Sequence, residues 1–319
     1  MIDRICIKKV KDKQTIYYKY TFKYMNGTSE VTNPEFLNRI KKLVIPPQWT
    51  SVKITEDPTD YLQVSGLDKN GKTQYIYHPL FISLTDQEKY IRLKHFSQKI
   101  YLLFDRLKTI KRNFNDKNFI ICIMFRLLEK THIRIGNECY VTEERPTYGL
   151  TTLEKKHLTI NGSDITLDFI GKKNIRNKVN IHSSSLSRDL LKIKEIQGSR
   201  LFKTIDGQVI KSSDMNSFLC ESIGSQEFSC KDFRTYASNI LFIKYLSNFK
   251  NKELNPENTS KEIEQNIKTV FKDVSALLNH SEAISKTSYV LPDILDKYRE
   301  NPSYFQKNIR PDELLIKLL

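Results

Sequence analysis

Residues 157–181, HLTINGSDITLDFIGKKNIRNKVNI, form an isolated block of strand signals inside a region whose other signals are helical. Apolar and β-branched residues alternate with polar ones, as in strands that bury one face. Asn161-Gly162 is a tight-turn pair, and Lys172 lies in a second turn. The block therefore predicts two or three antiparallel strands, with Lys172 between two of them.

Helical spacing of apolar residues surrounds this block on both sides. Thr85 and Glu88 have the spacing of a capping box, which predicts a helix start at Thr85. A second upstream helix is predicted to end at Gly136. The downstream helical segments are LSRDLLKIKEI, DMNSFLCESI, KDFRTYASNILFIKYL and KEIEQNIKTVFKDVSALL.

The N-terminal region is different, because TIYYKYTFKY at 15–24 is rich in aromatic and β-branched residues. Asn26-Gly27 and Asn70-Gly71 predict hairpin turns, and Asn33-Pro34 predicts a capped helix start. The expected fold class is α+β. A small β-rich N-terminal domain spans residues 1–82, and a mainly α-helical domain with a small antiparallel sheet spans 83–319.

The chain carries 52 Lys and Arg against 37 Asp and Glu, a net charge of +15 spread over its 319 residues. Such an excess indicates a polyanionic partner. The five cysteines form no CxxC pair, which is typical of a reducing compartment. No apolar run is long enough to cross a bilayer, so a soluble intracellular protein without a membrane partner is expected.

Residues 66–73, GLDKNGKT, satisfy the phosphate-loop pattern GxxxxGK[ST] in every letter. That pattern binds nucleotide when a helix begins at its lysine and directs backbone N–H groups at phosphate. Here the following residues, Gln74 to Tyr77, alternate like a strand, and His78-Pro79 ends them. A hairpin turn is predicted instead, and no nucleotide cofactor is expected.

The six histidines are scattered, and no carboxylates cluster with them at ligand spacing, so no metal site is expected. Phosphate chemistry without a metal requires fixed cations. Arginine is suited to this role, since its guanidinium donates two hydrogen bonds to phosphate oxygens and stays charged.

Five polar residues occur in order along the helical region, each in a distinctive context. They are Arg134 in THIRIGNECY, Lys172 in DFIGKKN, Arg234 in CKDFRTYASN, and His280 and Tyr289 in ALLNHSEAISKTSYV. This set resembles the active site of type IB DNA topoisomerases of the compact poxvirus, giant-virus and bacterial kind. The resemblance extends through most of the chain, in IPPQWTSVKI, VSGLDKNGKTQYIYHP, EKYIRL, YGLTTLEKKHL and SYVLP.

The resemblance implies an enzyme that relaxes supercoiled duplex DNA through a 3′-phosphotyrosyl intermediate, without ATP or metal. Tyr289 would be the nucleophile, and Arg134 and Arg234 would hold the non-bridging oxygens. His280 would donate to one of those oxygens as charge develops, and Lys172 would protonate the leaving 5′-oxygen. The same resemblance implies a catalytic domain of the tyrosine recombinase and topoisomerase IB fold.

Further positions match DNA-contacting or site-neighbouring residues of the family: Gln74, Tyr75, Tyr77, Tyr140 and Lys231. An alternative for Tyr75 and Tyr77 is an ordinary strand that buries both on one face. The resemblance also implies a monomer that clamps around the duplex. Its compartment would be a virion or the cytoplasm of an infected cell for a viral source, and otherwise the bacterial cytoplasm.

Two other functions fit part of the pattern. A tyrosine recombinase or integrase shares the order Arg, Lys, Arg, His, Tyr, but usually has a helical domain before the catalytic one and a histidine at the position of Lys231. A non-catalytic basic DNA-binding protein would explain the charge but not Tyr289 in its flanks. Taken singly, Arg134 and His280 could also be helix-end cations.

Overall fold

The computed structural model describes residues 1–12, 15–25, 29–141, 146–249, 256–306 and 309–319. The chain divides into two compact units, Met1–Lys89 and Tyr90–Leu319. The sequence-based boundary between residues 82 and 83 stays a prediction. The Asn26-Gly27 turn lies outside the described residues.

The first unit is an antiparallel five-stranded sheet with the order β2-β1-β3-β4-β5 and one helix before β3. An apolar cluster that includes Ile2, Ile40, Val52 and Val64 forms its core. Asn33 caps the helix, since its Oδ1 accepts from the backbone N–H of Glu35 at 2.9 Å. The elements are β1 (Ile2–Asp12), β2 (Thr15–Tyr24), α1 (Pro34–Lys42), β3 (Thr50–Ile54), β4 (Leu62–Leu67) and β5 (Thr73–Tyr77).

The phosphate-loop-like segment is the hairpin turn between β4 and β5, as predicted. Gly71 has φ +73°, a conformation that favours glycine. Oδ1 of Asp68 accepts from the N–H groups of Asn70 at 2.9 Å and Lys72 at 3.0 Å. The carboxylate of Asp68 thus occupies two of the N–H groups that a nucleotide-binding loop would direct at phosphate.

The second unit is mainly helical, with a three-stranded antiparallel sheet in the order β6-β7-β8. Two or three strands were expected from residues 157–181 and three are present, with β7 alternating between exposed or half-buried and buried positions. The elements are α2 (Pro79–Thr109, which starts in the first unit), α3 (Lys117–Thr131), β6 (Leu158–Asn161), β7 (Asp164–Gly171), β8 (Ile175–His182), α4 (Ser184–Glu195), α5 (Ser212–Ile223), α6 (Cys230–Leu246), α7 (Pro256–Leu277), α8 (Glu282–Ile284), α9 (Pro292–Glu300) and α10 (Pro311–Leu318).

Helix α2 begins at Pro79, so the predicted start at Thr85 is wrong. Proline fits the first helical turn, and the imidazole Nδ1 of His78 accepts from the N–H of Leu80 at 3.2 Å. Thr85 instead lies inside the helix, where its hydroxyl donates to the carbonyl oxygen of Phe81 at 3.1 Å.

Helix α3 ends before Gly136, which also differs from the prediction. His132 adopts the left-handed conformation at φ 51° and ψ 21°, and its N–H bonds to the Leu128 carbonyl. Gly136 also has a positive φ, +84°, and its backbone passes close to that of Gly149.

The α+β class with a β-rich first unit and a mainly helical second unit is confirmed. Two apolar clusters fill the second unit, and α6 contributes residues to both, including Phe233 to one and Phe242 to the other. Among the described helices, none combines the length and apolar character needed to span a membrane.

Candidate active site

Tyr289 ends a π-helical turn, Ser285–Tyr289, that directly follows α8. The fully buried Asn239 of α6 fixes the chain on both sides of this turn's end. Its Nδ2 donates to the carbonyl of Tyr289 at 2.8 Å, and its Oδ1 accepts from the N–H of Leu291 at 2.9 Å. A π turn at a functional position is a common use of this rare geometry.

Arg234 lies in α6, one turn before Asn239, and is 9% exposed. Its Nη1 donates to the carbonyl of His132 at 2.7 Å, and its Nη2 donates to the carbonyl of Leu278. Its Cζ lies 5.8 Å from the ring centroid of Tyr289. The buried Nε has no hydrogen-bond partner among the described residues.

Burial lowers the pKa of Arg234 to about 10, and the positive charge of Arg134 acts in the same direction. The guanidinium is therefore still protonated at neutral pH. It is a fixed cation beside the ring of Tyr289.

His280 stacks on Tyr289, with ring centroids 4.9 Å apart and an interplanar angle of 11°. Its Nδ1 lies 3.3 Å from Nη2 of Arg234, and its Nε2 lies 2.6 Å from Oγ of Ser285. A guanidinium can only donate, so Nδ1 is the acceptor and the proton of the neutral ring sits on Nε2. Burial, followed by the charges of Arg234 and Arg134, lowers the pKa of His280 to about 4.

Arg134 follows the left-handed residue His132 in the loop after α3. Its positive charge lowers the pKa of both Arg234 and His280. Within the described residues, its guanidinium has no hydrogen-bond or ion-pair partner.

A crossing of two glycine backbones holds the Arg134 loop. A Cβ on Gly149 would lie 2.5 Å from the nitrogen of Gly136 and 2.7 Å from the carbonyl oxygen of Arg134. The N–H of Leu150 donates to that same carbonyl at 2.8 Å. Neither glycine position has room for a side chain, so the close approach of the backbones fixes the loop.

Lys172 is exposed in the turn between β7 and β8. Lys173 and Asn174 in this turn have φ of 64° and 60°. Within the described residues, no hydrogen bond joins the ammonium of Lys172 to Arg134, Arg234, His280 or Tyr289. Of the five predicted catalytic residues, contacts among the described residues thus join Arg234, His280 and Tyr289.

The predicted DNA-contacting residues lie on exposed or half-buried surfaces. Tyr75 is 50% and Tyr77 is 36% exposed, so the alternative in which β5 buries both is wrong. Their ring centroids are 6.0 Å apart. Gln74 points to the other face of β5, and its amide donates to Oδ2 of Asp68 at 2.9 Å.

The other two predicted contacts are in the second unit. Tyr140 is 59% exposed in a 3-10 turn, and Lys231 is exposed in the first turn of α6. Both side chains are accessible to a ligand.

Sequence reasoning missed three residues that support this cluster: Asn239, Ser275 and Ser285. A buried asparagine inside a helix is a weak signal, because it requires a partner to satisfy its amide. Nothing in the sequence around Ser275 and Ser285 indicated a supporting role. Among the described residues, no three His, Cys, Asp or Glu side chains are grouped so that they could hold a metal ion.

The low pKa values of two histidines predict a loss of stability in mild acid. Burial lowers the pKa of both His132 and His280 to about 4, whereas unfolded histidine titrates near 6.5. The unfolded chain binds more protons between these values, so stability is fully present above about pH 6.5 and falls as the pH approaches 4. Carboxyl groups whose pKa values are lowered affect the stability only at still lower pH.

We expect the free energy of unfolding to be on the order of 2 kcal/mol smaller at pH 5 than at pH 7. Urea unfolding followed by helical circular dichroism at both pH values measures it. Equal stability at the two pH values would contradict the buried, neutral state of these histidines.

Known proteins and protein families match this chain over nearly its whole length. A family model described as "Eukaryotic DNA topoisomerase I, catalytic core" matches residues 80–313, and one described as "Bacterial DNA topoisomerase IB, N-terminal domain" matches residues 19–68. "DNA topoisomerase 1B" of Acanthamoeba polyphaga mimivirus is 34% identical over 313 residues, which is 94% of this chain and 91% of the relative.

"DNA topoisomerase 1B" of Vaccinia virus (strain Copenhagen) is 26% identical over 288 residues, which cover 87% of this chain and 86% of that one. The structure of XerH site-specific recombinase bound to difH has a TM-score of 0.33 at 14% identity over 74% of this chain and 59% of its own, too low to establish a common fold. On the two family models and the mimivirus relative, the chain belongs to the type IB DNA topoisomerase family.

Proposed function

We propose that this chain relaxes supercoiled duplex DNA by breaking and resealing one strand through a covalent adduct on Tyr289. The observation that carries the proposal is the stack of Tyr289 on His280 beside the buried cation Arg234. A phenol oxygen, a neutral imidazole donor and a fixed guanidinium are the groups that in-line attack on a phosphodiester requires.

In the proposed step, Oη of Tyr289 attacks phosphorus as the bond to the 5′-oxygen breaks. The products are a 3′-phosphotyrosyl linkage and a strand end with a free 5′-hydroxyl. Because a phenol is a good leaving group, the 5′-hydroxyl can attack in return and release Tyr289 without ATP.

The arginines and the histidine stabilise the charge that develops on phosphate. Arg134 and Arg234 hold the non-bridging oxygens, and the position of the Arg234 guanidinium beside the ring of Tyr289 supports this role. His280 donates its Nε2 proton to one of these oxygens. The guanidinium groups of the chain thus supply the positive charge at phosphorus.

Lys172 is the proposed general acid for the 5′-oxygen. Its exposed turn between β7 and β8 leaves the ammonium accessible to a bound duplex. Among the described residues no hydrogen bond joins its ammonium to the Tyr289 cluster, so in this mechanism Lys172 meets the leaving 5′-oxygen when DNA is bound.

Both compact units carry predicted DNA contacts, which supports a monomer that closes around the duplex. Gln74, Tyr75 and Tyr77 belong to the first unit, and Tyr140 and Lys231 belong to the second. Relation to mimivirus and vaccinia proteins supports action in a virion or in the cytoplasm of an infected cell.

A plasmid-relaxation assay tests the proposed function. We expect the purified chain to relax both positively and negatively supercoiled plasmid in EDTA without nucleotide, since the positive charge at phosphorus comes from side chains. Topoisomers separated on agarose gels measure it. A strict requirement for ATP or a divalent metal would refute the mechanism.

A further inference from the structure

Two buried serines beside His280 take no part in the mechanism above. Ser275 is 3% and Ser285 is 1% exposed, and their Oγ atoms are 2.8 Å apart. Oγ of Ser285 is also 2.6 Å from Nε2 of His280. These contacts join α7, His280 and the turn that carries Tyr289.

Arg234 determines which group donates in each hydrogen bond of this series. Because its Nη2 donates to Nδ1 of His280, the imidazole proton is on Nε2 and is donated to Ser285. The hydroxyl of Ser285 has then accepted one hydrogen bond and can donate its own proton to Oγ of Ser275. Arg234 and Ser285 together set the tautomer and hold the ring from both sides.

Ser285 is also the first residue of the π turn that ends at Tyr289. Its carbonyl accepts from the N–H of Val290 at 3.0 Å. The same residue therefore fixes the ring of His280 through its side chain and the Tyr289 segment through its backbone. Loss of the hydroxyl would leave the Nε2 proton without its acceptor and let the ring turn.

We propose that Ser285, supported by Ser275, is a positioning residue that holds His280 in its Nε2–H form and stacked on Tyr289, ready to donate to a phosphate oxygen. This inference rests on the proposed function. When the phosphate arrives, its oxygen replaces the hydroxyl as acceptor of a proton that is already on the required nitrogen. No change of tautomer is needed.

Single-turnover cleavage of a duplex tests the proposal in a double-mutant cycle. We expect Ser285→Ala to slow cleavage roughly tenfold with unchanged duplex affinity, and His280→Ala to slow it more. If Ser285 acts through His280, the double variant is no slower than His280→Ala alone. Independent, multiplicative losses would overturn the proposal, because they indicate a general structural effect.

Ser97→Ala is the matched control, since Ser97 is also buried and, among the described residues, its hydroxyl bonds only to the carbonyl of Leu93 in its own helix. It should cleave like wild type. The wild-type protein provides a second measurement, because nitrogen-15 spectra of its histidine rings report which nitrogen carries the proton. A proton on Nδ1 of His280 would overturn the proposal even if Ser285→Ala does not fold.

These measurements separate the two claims. A wild-type protein that forms no adduct on Tyr289 refutes the proposed function. Normal wild-type cleavage that Ser285→Ala leaves unchanged refutes only the role of Ser285.

Discussion

Replacement of Tyr289 by phenylalanine should abolish the covalent adduct with DNA while leaving duplex binding intact. The change removes only the oxygen that bonds to phosphorus, and the ring can still stack on His280. The backbone contacts of Asn239 on either side do not involve the hydroxyl, so the fold should persist. The expected loss of cleavage is complete.

A duplex with a 5′ label on the cleaved strand and a short 3′ segment that escapes after cleavage traps the adduct. Peptide mapping then identifies the labelled residue. Tyr245→Phe is the matched control, a half-buried tyrosine of α6 outside the cluster. An adduct on another residue, or one that survives in Tyr289→Phe, would remove Tyr289 from the mechanism.

Replacement of Lys172 by alanine should slow cleavage of an ordinary phosphodiester by about 10²- to 10⁴-fold, the usual contribution of a general acid. A substrate whose leaving 5′-oxygen is replaced by sulfur should be cleaved at nearly the wild-type rate, since a thiolate leaves without a proton. Rapid-quench measurements on both substrates give the two ratios.

Lys173→Ala provides the control for loss of charge in the same exposed turn. It should leave both rates close to wild type. Equal losses on the two substrates in Lys172→Ala would show that this lysine binds or orients DNA and does not protonate the leaving group.

Much of the fold follows from local sequence patterns. The strands in residues 157–181 and the β4–β5 hairpin could be predicted because alternation and turn residues act over a few positions. The start of α2 was misplaced because a plausible capping pair at Thr85 lies within a helix that Pro79 and His78 had already begun. Local helix-start signals alone do not decide which of two possible positions begins the helix.

Arg234, His280 and Tyr289 were singled out by resemblance, whereas the contacts that support them were not predicted. Asn239 contacts Tyr289, which is 50 residues away in the sequence, and Ser285 contacts His280, which is 5 residues away. The left-handed His132, whose carbonyl accepts from Arg234, replaced the glycine expected to end α3. Such contacts depend on tertiary packing, which short patterns in one sequence do not record.

The close approach of the Gly136 and Gly149 backbones limits which residues the loop of the candidate active site can accept. The Arg134 loop is held by main-chain atoms in contact and by the hydroxyl of Thr151, which donates to the carbonyl of Ile135 at 3.0 Å. Asn137 and Glu138 have contacts of their own, since the amide oxygen of Asn137 accepts from the N–H of Cys139 and the carboxylate of Glu138 pairs with Arg200. A side chain at Gly136 or Gly149 would push apart the two main-chain segments that hold Arg134 in place.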